Sequence, residues 1–311
     1  VVLAENLAGT STWKHPRVVA VGFFDGVHRG HQELLRRLSL SATSLGGIGI
    51  VLTFHPHPLA LLRPELQPPL LTSFSQKVRL LELAGVEHLL VLPFDHELRQ
   101  LDPGAFVREV LVDGLNARAV LVGFNFTFGY RGQGNAGTLA ELAAPHGIAV
   151  EVVPPVRVMG SLVSSTAIRQ SLLEGRVDRA WQWLGRPYQL CGRVIRGERR
   201  GRDLGFPTCN LALEDGVLVP ARGVYGVRVT LPGGSRALGV CNIGVRPTFQ
   251  GQDTTIEVHV IDHQQDWYGQ VLCLDLVSFL RQELRFPSAE SLARQIRRDI
   301  ARVQRTGLPV Y

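Results

Sequence analysis

From residue 17 to about 160, continuous apolar runs take turns with amphipathic stretches, and beyond about residue 186 that alternation stops. This change of grain limits the fold more than any single motif does. "RVVAVGFF", "IGIVLTF", "HLLVLPF", "ARAVLVGFNF" and "IAVEVVPPV" are apolar runs of strand length. Between them lie "GHQELLRRLSLSATSLG", "SFSQKVRLLELAG", "DPGAFVREVLVDGL" and "TLAELAAPHG", whose apolar residues recur at helical spacing. Strands that are apolar on both faces and separated by helices pair in parallel, with helices covering both sides of the sheet. Ligands of such sheets collect beyond the carboxyl ends of the strands, where "GFFDGVH", "TFHPHP" and "GFNFTFG" fall.

The second grain is different. Residues 164–188 read as helical, with a break near Gly175 and a stop at "GRP". "YQLCGRVIRG", "GVYGVRVTL", "RALGVCNIG", "TIEVHVI" and "VLCLDLVSFL" then follow as short strands between Gly, Pro and Asp turns, with a hairpin at "LPGGS". Their even spacing predicts a small antiparallel barrel closed by the helix "SAESLARQIRRDIARVQR". At 311 residues the chain is long for one core, so two domains are expected, 1–185 and 186–311.

Charge and cysteine usage narrow the function classes. The net charge of +6 is almost all arginine, since lysine stands only at positions 14 and 77. Arginine grips phosphate with two parallel hydrogen bonds, which suits nucleotides as well as nucleic acids. The one dense basic cluster is "RVIRGERRGR" (193–202), so no nucleic-acid partner is expected. No apolar run approaches the roughly 18 residues of a membrane span, and no membrane partner is expected. The four cysteines form no CxxC pair, which predicts reduced thiols in a cytoplasm and no zinc site.

"GQGNAG" (132–137) satisfies GxGxxG but lies well past the end of its strand and lacks the acidic residue expected some 20 positions on, so it reads as a flexible loop. No G-K-[ST] setting exists for a P-loop. The opening of the first helix is more specific. His28 and His31 are three residues apart where backbone N–H groups and the helix dipole already favour an anion. Gly26 and Gly30 leave room for a phosphate to approach the backbone. A metal reading needs a third ligand, which "HPHP" (55–58) could supply, and sets a cation against the dipole; plain packing is the remaining alternative. Ser164, Ser165 and Thr166 stand at another helix start with Arg169 one turn on, either as simple caps or as a second anion site.

Together these motifs carry a family resemblance. "GFFDGVHRGHQ" resembles the HxGH signature of the nucleotidylyltransferase superfamily, and "TFHPHP", "GFNFTFG" and "VSSTAIR" resemble its bacterial riboflavin kinase/FMN adenylyltransferase branch. "LGFPTCNL", "GVYGVRV", "CNIGVRPTF", "EVHVIDHQQDWYG" and "FLRQELRF" continue the likeness, in order, through almost the whole chain. The resemblance implies a Rossmann-like adenylyltransferase domain with a parallel sheet, followed by an antiparallel β-barrel riboflavin kinase domain. It implies ATP as co-substrate, riboflavin, FMN and FAD as substrates and products, Mg²⁺ as cofactor, and a monomer or transient oligomer.

By the same resemblance, ATP of the first site meets Gly22, Phe23, Phe24, Asp25, Gly26, His28, Gly30, His31, Ser164, Ser165, Thr166 and Arg169, with the two histidines catalytic. Phe54, Pro56, His57, Pro58, Asn125 and Phe128 would face the flavin. Asn125 and Asn135 stand where many relatives carry Asp, which leaves a metal role of that loop open. In the kinase domain Arg202, Gly205, Phe206, Pro207, Thr208 and Asn210 would meet ATP. Thr208 and Asn210, two apart on an extended segment, offer neutral oxygens to Mg²⁺, although "PTxN" alone also suits an ordinary turn. Glu257 would be the general base; by strand pattern alone it could equally be a salt-bridged structural acid.

Overall fold

The computed structural model describes residues 1–56, 68–197, 205–248 and 251–306. By packing the chain divides into two compact units, Val1–Ser165 and Thr166–Tyr311. The first barrel strand begins at Tyr188, and the helical residues before it pack with the second unit.

In the first unit, strands β1 (Val2–Ala4), β2 (Arg17–Val21), β3 (Ile48–His55), β4 (His88–Pro93), β5 (Ala117–Gly123) and β8 (Ala149–Val153) form one sheet in the order β1-β4-β3-β2-β5-β8. Every neighbouring pair is parallel. β2 is buried along its whole length, and its residues alternate between two cores: Val19 and Val21 pack on one side, Val18 and Ala20 on the other. Because β2 neighbours β3 on one edge and β5 on the other, the chain reverses its direction of travel there. The crevice beyond β2 and β5 is therefore the topological switch point, and it receives both "GFFDGVH" and "GFNFTFG".

Helices α1 (Arg29–Ser44) and α2 (Phe74–Leu83) follow β2 and β3. A reciprocal capping box between Ser73 and Gln76 starts α2. The expected helix over 102–115 is α-helical at Pro103–Phe106 and widens to π geometry over Val107–Gly114. "GQGNAG", expected to be a flexible loop, is instead built into structure. β6 (Thr127–Phe128) pairs with β7 (Gly134–Asn135), and Asn135 Oδ1 then caps α3 (Ala136–Ala143) by accepting from Gly137 and Thr138 amides. A side chain committed to a cap has its oxygen turned to backbone rather than to a metal.

A short antiparallel hairpin, β9 (Arg157–Val158) with β10 (Ser161–Leu162), precedes α4 (Ser165–Leu173), which starts on the last residue of the first unit and is followed by α5 (Val177–Leu184). Strands β11 (Tyr188–Ile195), β12 (Cys209–Leu213), β13 (Gly223–Thr230), β14 (Arg236–Thr248), β15 (Gly251–Val260) and β16 (Val271–Arg281) then close as a barrel, β11-β12-β15-β14-β13-β16. α6 (Ala289–Thr306) packs against β13 and β14, where Val303 is fully buried beside Val224 and Val240.

The cysteine expectation fails at two positions. Cys191 and Cys273 stand directly opposite each other on β11 and β16, with Cα atoms 4.1 Å apart, and form a disulfide. Their 82-residue separation hides this, because only the strand register brings them together. Cys209 and Cys241 are free thiols.

Candidate active sites

The first site grows from the turn between β2 and α1. His28 is the N-cap of α1, and its Nδ1 accepts the His31 amide at 3.3 Å. A neutral His28 therefore carries its proton on Nε2, which leaves that nitrogen a donor. The His28 and His31 rings stack 3.7 Å apart at 12°, so the two imidazoles act on one region beyond the helix mouth. Gly30 permits this: a Cβ there would meet His28 Nδ1 and Cε1 at 3.1 Å. Phe24 is buried and supports His31 at 5.1 Å, and Gly22 lies so close to the Phe24 ring that a Cβ would meet it at 3.1 Å.

The turn itself is held under strain. Phe24 (φ 56), Gly26 (φ 78) and Val27 (φ 39) all lie in the left-handed region, which disfavours Phe and above all β-branched Val. Side chains from neighbouring elements hold it there. The buried Asp25 carboxylate accepts the Leu71 and Thr72 amides and the Thr72 hydroxyl, and Thr72 in turn accepts the Gly26 amide. Asp25, expected to meet ATP, thus has its carboxylate turned to backbone. Thr53 and Lys77 both donate to the Phe23 carbonyl, at 3.2 and 3.3 Å. Ser165, the last residue of the first unit, donates to the Asp25 carbonyl at 3.1 Å. Thr166 and Arg169 belong to the second unit.

Of the residues expected to face flavin, Phe54 is half-buried against Phe94, and Asn125 is exposed. Phe128 is buried between Phe106 and Phe126, at 5.4 and 5.5 Å, so it offers a ligand no open face. Pro56 ends the described segment, and His57 and Pro58 lie outside the described residues. Phe126 and Lys77 were not singled out from sequence. The signal for Lys77 is its place four residues before buried Leu81 on α2, which turns both inward.

The second site is written in strand register. Asn210 of β12 stands opposite Glu257 of β15, and Glu257 stands opposite Asn242 of β14. Directly opposed residues project to the same face, so these three form one polar row across adjacent strands about 4.8 Å apart. Their chain neighbours Cys241 and Val258 point the other way and are fully buried. Burial pushes the Cys241 thiol up to about 12, with the Glu257 charge adding to the shift. Asn242 also donates to Glu283 at 3.3 Å.

The segment before β12 is fastened to this row. His259 Nδ1 lies 2.8 Å from the Pro207 carbonyl, and the Phe206 ring packs edge-on against His259 at 5.7 Å. Gly205 has φ 83, and Thr208 lies between this anchor and β12. Gly197 admits the Asn210 amide, whose Nδ2 a Cβ would strike. Arg202 lies outside the described residues. Sequence reasoning missed Asn242 and His259; the period of two in "TTIEVHVI" places His259 on the face of Glu257.

Among the described residues no group of three or more His, Cys, Asp or Glu side chains is arranged to hold a metal ion. The Thr208 hydroxyl and Asn210 amide oxygen are hard, neutral donors. They fit a cation held mainly by phosphates and water.

Comparison with known proteins adds three findings. A family model described as FAD synthetase matches residues 10–167, and one described as riboflavin kinase matches residues 184–306. The chain is 39% identical to a bifunctional riboflavin kinase/FMN adenylyltransferase of Pseudomonas fluorescens, over 94% of this chain and 93% of the relative. It is 36% identical to the protein of that name from Bacillus subtilis, over 91% and 90% respectively. A crystal structure called macrolide-efflux protein, from Streptococcus pneumoniae, superposes with TM-score 0.85 at 31% identity, covering 97% of this chain and 98% of that one. No helix among the described residues of this chain is long and apolar enough to cross a membrane.

Proposed function

The chain belongs to the bifunctional riboflavin kinase/FMN adenylyltransferase family, and from that premise we propose which residues perform each step. It phosphorylates riboflavin to FMN with ATP and adenylylates FMN to FAD, releasing pyrophosphate. The observation that carries the assignment is the presence of two separate polar constructions, one under each matched family model.

Residues 1–185 are assigned the adenylyl transfer. An FMN phosphate oxygen attacks the α-phosphorus of ATP, and the bond to the β-phosphate breaks. His28 and His31 donate hydrogen bonds to the departing pyrophosphate, where negative charge grows, and the N-terminus of α1 adds its dipole. Gly22, Phe23, Phe24, Gly26 and Gly30 shape the nucleotide cradle, and Asp25 holds that shape from behind. Ser164, Ser165, Thr166 and Arg169 are assigned the second anion contact. Phe54, Pro56, His57, Pro58, Asn125 and Phe128 are assigned to the flavin, with Phe128 acting through the aromatic stack it anchors.

Residues 186–311 are assigned the kinase. The ribityl 5′-hydroxyl attacks the γ-phosphorus of ATP, Glu257 accepts the hydroxyl proton, and ADP leaves. Arg202, Gly205, Phe206 and Pro207 are assigned to the ATP phosphates. Thr208 and Asn210 would hold Mg²⁺, which when bound neutralises charge across the phosphates. The partners are these small molecules, with no nucleic acid and no membrane, and the working form is a monomer or transient oligomer. A cytoplasmic location rests on the need for ATP, since the Cys191–Cys273 bond removes the argument from reduced thiols. Incubating the purified chain with riboflavin, ATP and Mg²⁺ should give FMN first and FAD after it; a preparation that makes neither overturns the assignment.

A further inference from the structure

Lys77 is a buried ammonium outside the groups that meet ATP and flavin. Its exposure is 4%, and among the described residues no carboxylate lies within ion-pairing distance of its Nζ. A charge kept from water without an ion-pair partner is costly, so its polar contacts need an explanation. Nζ lies 3.3 Å from the Phe23 carbonyl oxygen, 3.4 Å from Thr53 Oγ1 and 4.3 Å from the centre of the Phe23 ring. It therefore grips both the backbone and the ring of one residue.

That residue opens the strained turn. Left-handed Phe24 and Val27 persist only where the surroundings over-determine them. Asp25 and Thr72 fix the downstream half of the turn, and Thr53 with Lys77 fixes the upstream half. His28 and His31 follow directly, so their stacked placement depends on both halves.

We propose that Lys77 is a positioning residue for adenylyl transfer: its charged Nζ clamps Phe23 and so sets the turn that presents His28 and His31. The idea rests on the assignment of that reaction to the first unit. Burial lowers the Lys77 ammonium to about 8, against the opposing pull of Asp25. Among the described residues two titratable groups face it, Asp25 from the turn and His55 from β3, and burial together with the Lys77 charge lowers His55. A charge-assisted clamp weakens when the charge is lost, so FMN adenylylation should decline as pH rises through about 8. Stability should move the other way. Between about 8 and 10.5 the unfolded chain binds more protons at this lysine than the native chain, so native stability gains as pH rises.

The test compares full-length wild type, Lys77→Met and Lys77→Arg in both half-reactions from about pH 6 to pH 10. In Lys77→Met the kcat of FMN adenylylation should fall roughly a hundredfold, the effect of a small misplacement of reacting groups, with little change in the KM for ATP. Its alkaline decline should vanish, riboflavin phosphorylation should be unchanged, and thermal stability should be no lower than wild type. Lys77→Arg keeps the charge and should recover most of the kcat, with no decline at high pH. A wild-type kcat in Lys77→Met overturns the proposal, as does a wild-type profile flat across that range. Should Lys77→Met fail to fold, the arginine variant and the wild-type profile decide alone. Wild type that makes FMN but no FAD would refute the assignment of the first unit instead.

Discussion

The two sites reach a fixed geometry by opposite means. In the first, a turn with three residues in the left-handed region is forced into shape by polar side chains from β3, α2 and the segment before it. In the second, Asn210, Glu257 and Asn242 are aligned by the hydrogen-bond ladder of β12, β15 and β14, which needs no strain. A strained turn can carry a backbone cradle for an anion, which a flat strand cannot. A ladder holds side chains at a fixed pitch, which suits a base beside cation-holding oxygens. Burial lowers an ammonium under the turn and raises two thiols and a phenol in the barrel strands.

Both constructions lean on a glycine, and alanine there should separate them. Gly197→Ala forces the Asn210 amide aside, so riboflavin phosphorylation should drop roughly a hundredfold while FMN adenylylation persists. Gly30→Ala asks the His28 ring to yield only a few tenths of an ångström, so adenylylation should fall by roughly tenfold, with phosphorylation intact. Helix α1 should gain stability from that alanine, because glycine is the poorer helix former by about 1 kcal/mol. Steady-state rates of each half-reaction check both variants; equal loss in both reactions would break the comparison.

A smaller effect should appear as pH rises. Lys77 makes the first unit gain stability between about 8 and 10.5. The barrel should lose it above about 9, because Cys209 and Cys241, pushed by burial up to about 11 and about 12, keep protons that the unfolded chain releases. Tyr225 is pushed up by burial as well and acts in the same direction. Each effect is on the order of 1–2 kcal/mol by pH 10. Hydrogen exchange of β2 and β13 amides, corrected for intrinsic rates, should show protection rising in one and falling in the other. Parallel movement would contradict the assigned burial of these groups.

The sequence foretells the parallel sheet and the barrel because burial on both faces and period-two alternation leave direct marks on residue order. It also yields the His28–His31 pair, since a helix mouth is local. What escapes it depends on contacts between distant segments. β1 is three residues long and carries no alternation to recognise. "PTCN" reads as a motif on an extended segment, whereas Cys209–Leu213 is a barrel strand whose partners lie elsewhere in the chain. Lys77 looks like a solvated helix charge until α2 packs against the turn. Asn242 becomes visible only once register places it beside Glu257.

The central claim, two reactions on two separate constructions, is tested most directly by assaying Glu257→Gln and the His28→Ala/His31→Ala double variant side by side in each half-reaction. The account predicts a mirror image. Glu257→Gln should lose riboflavin phosphorylation by about a thousandfold and keep FMN adenylylation, and the histidine variant should do the reverse. Folded variants that lose both reactions together, or a Glu257→Gln enzyme that still phosphorylates riboflavin at the wild-type rate, would contradict it.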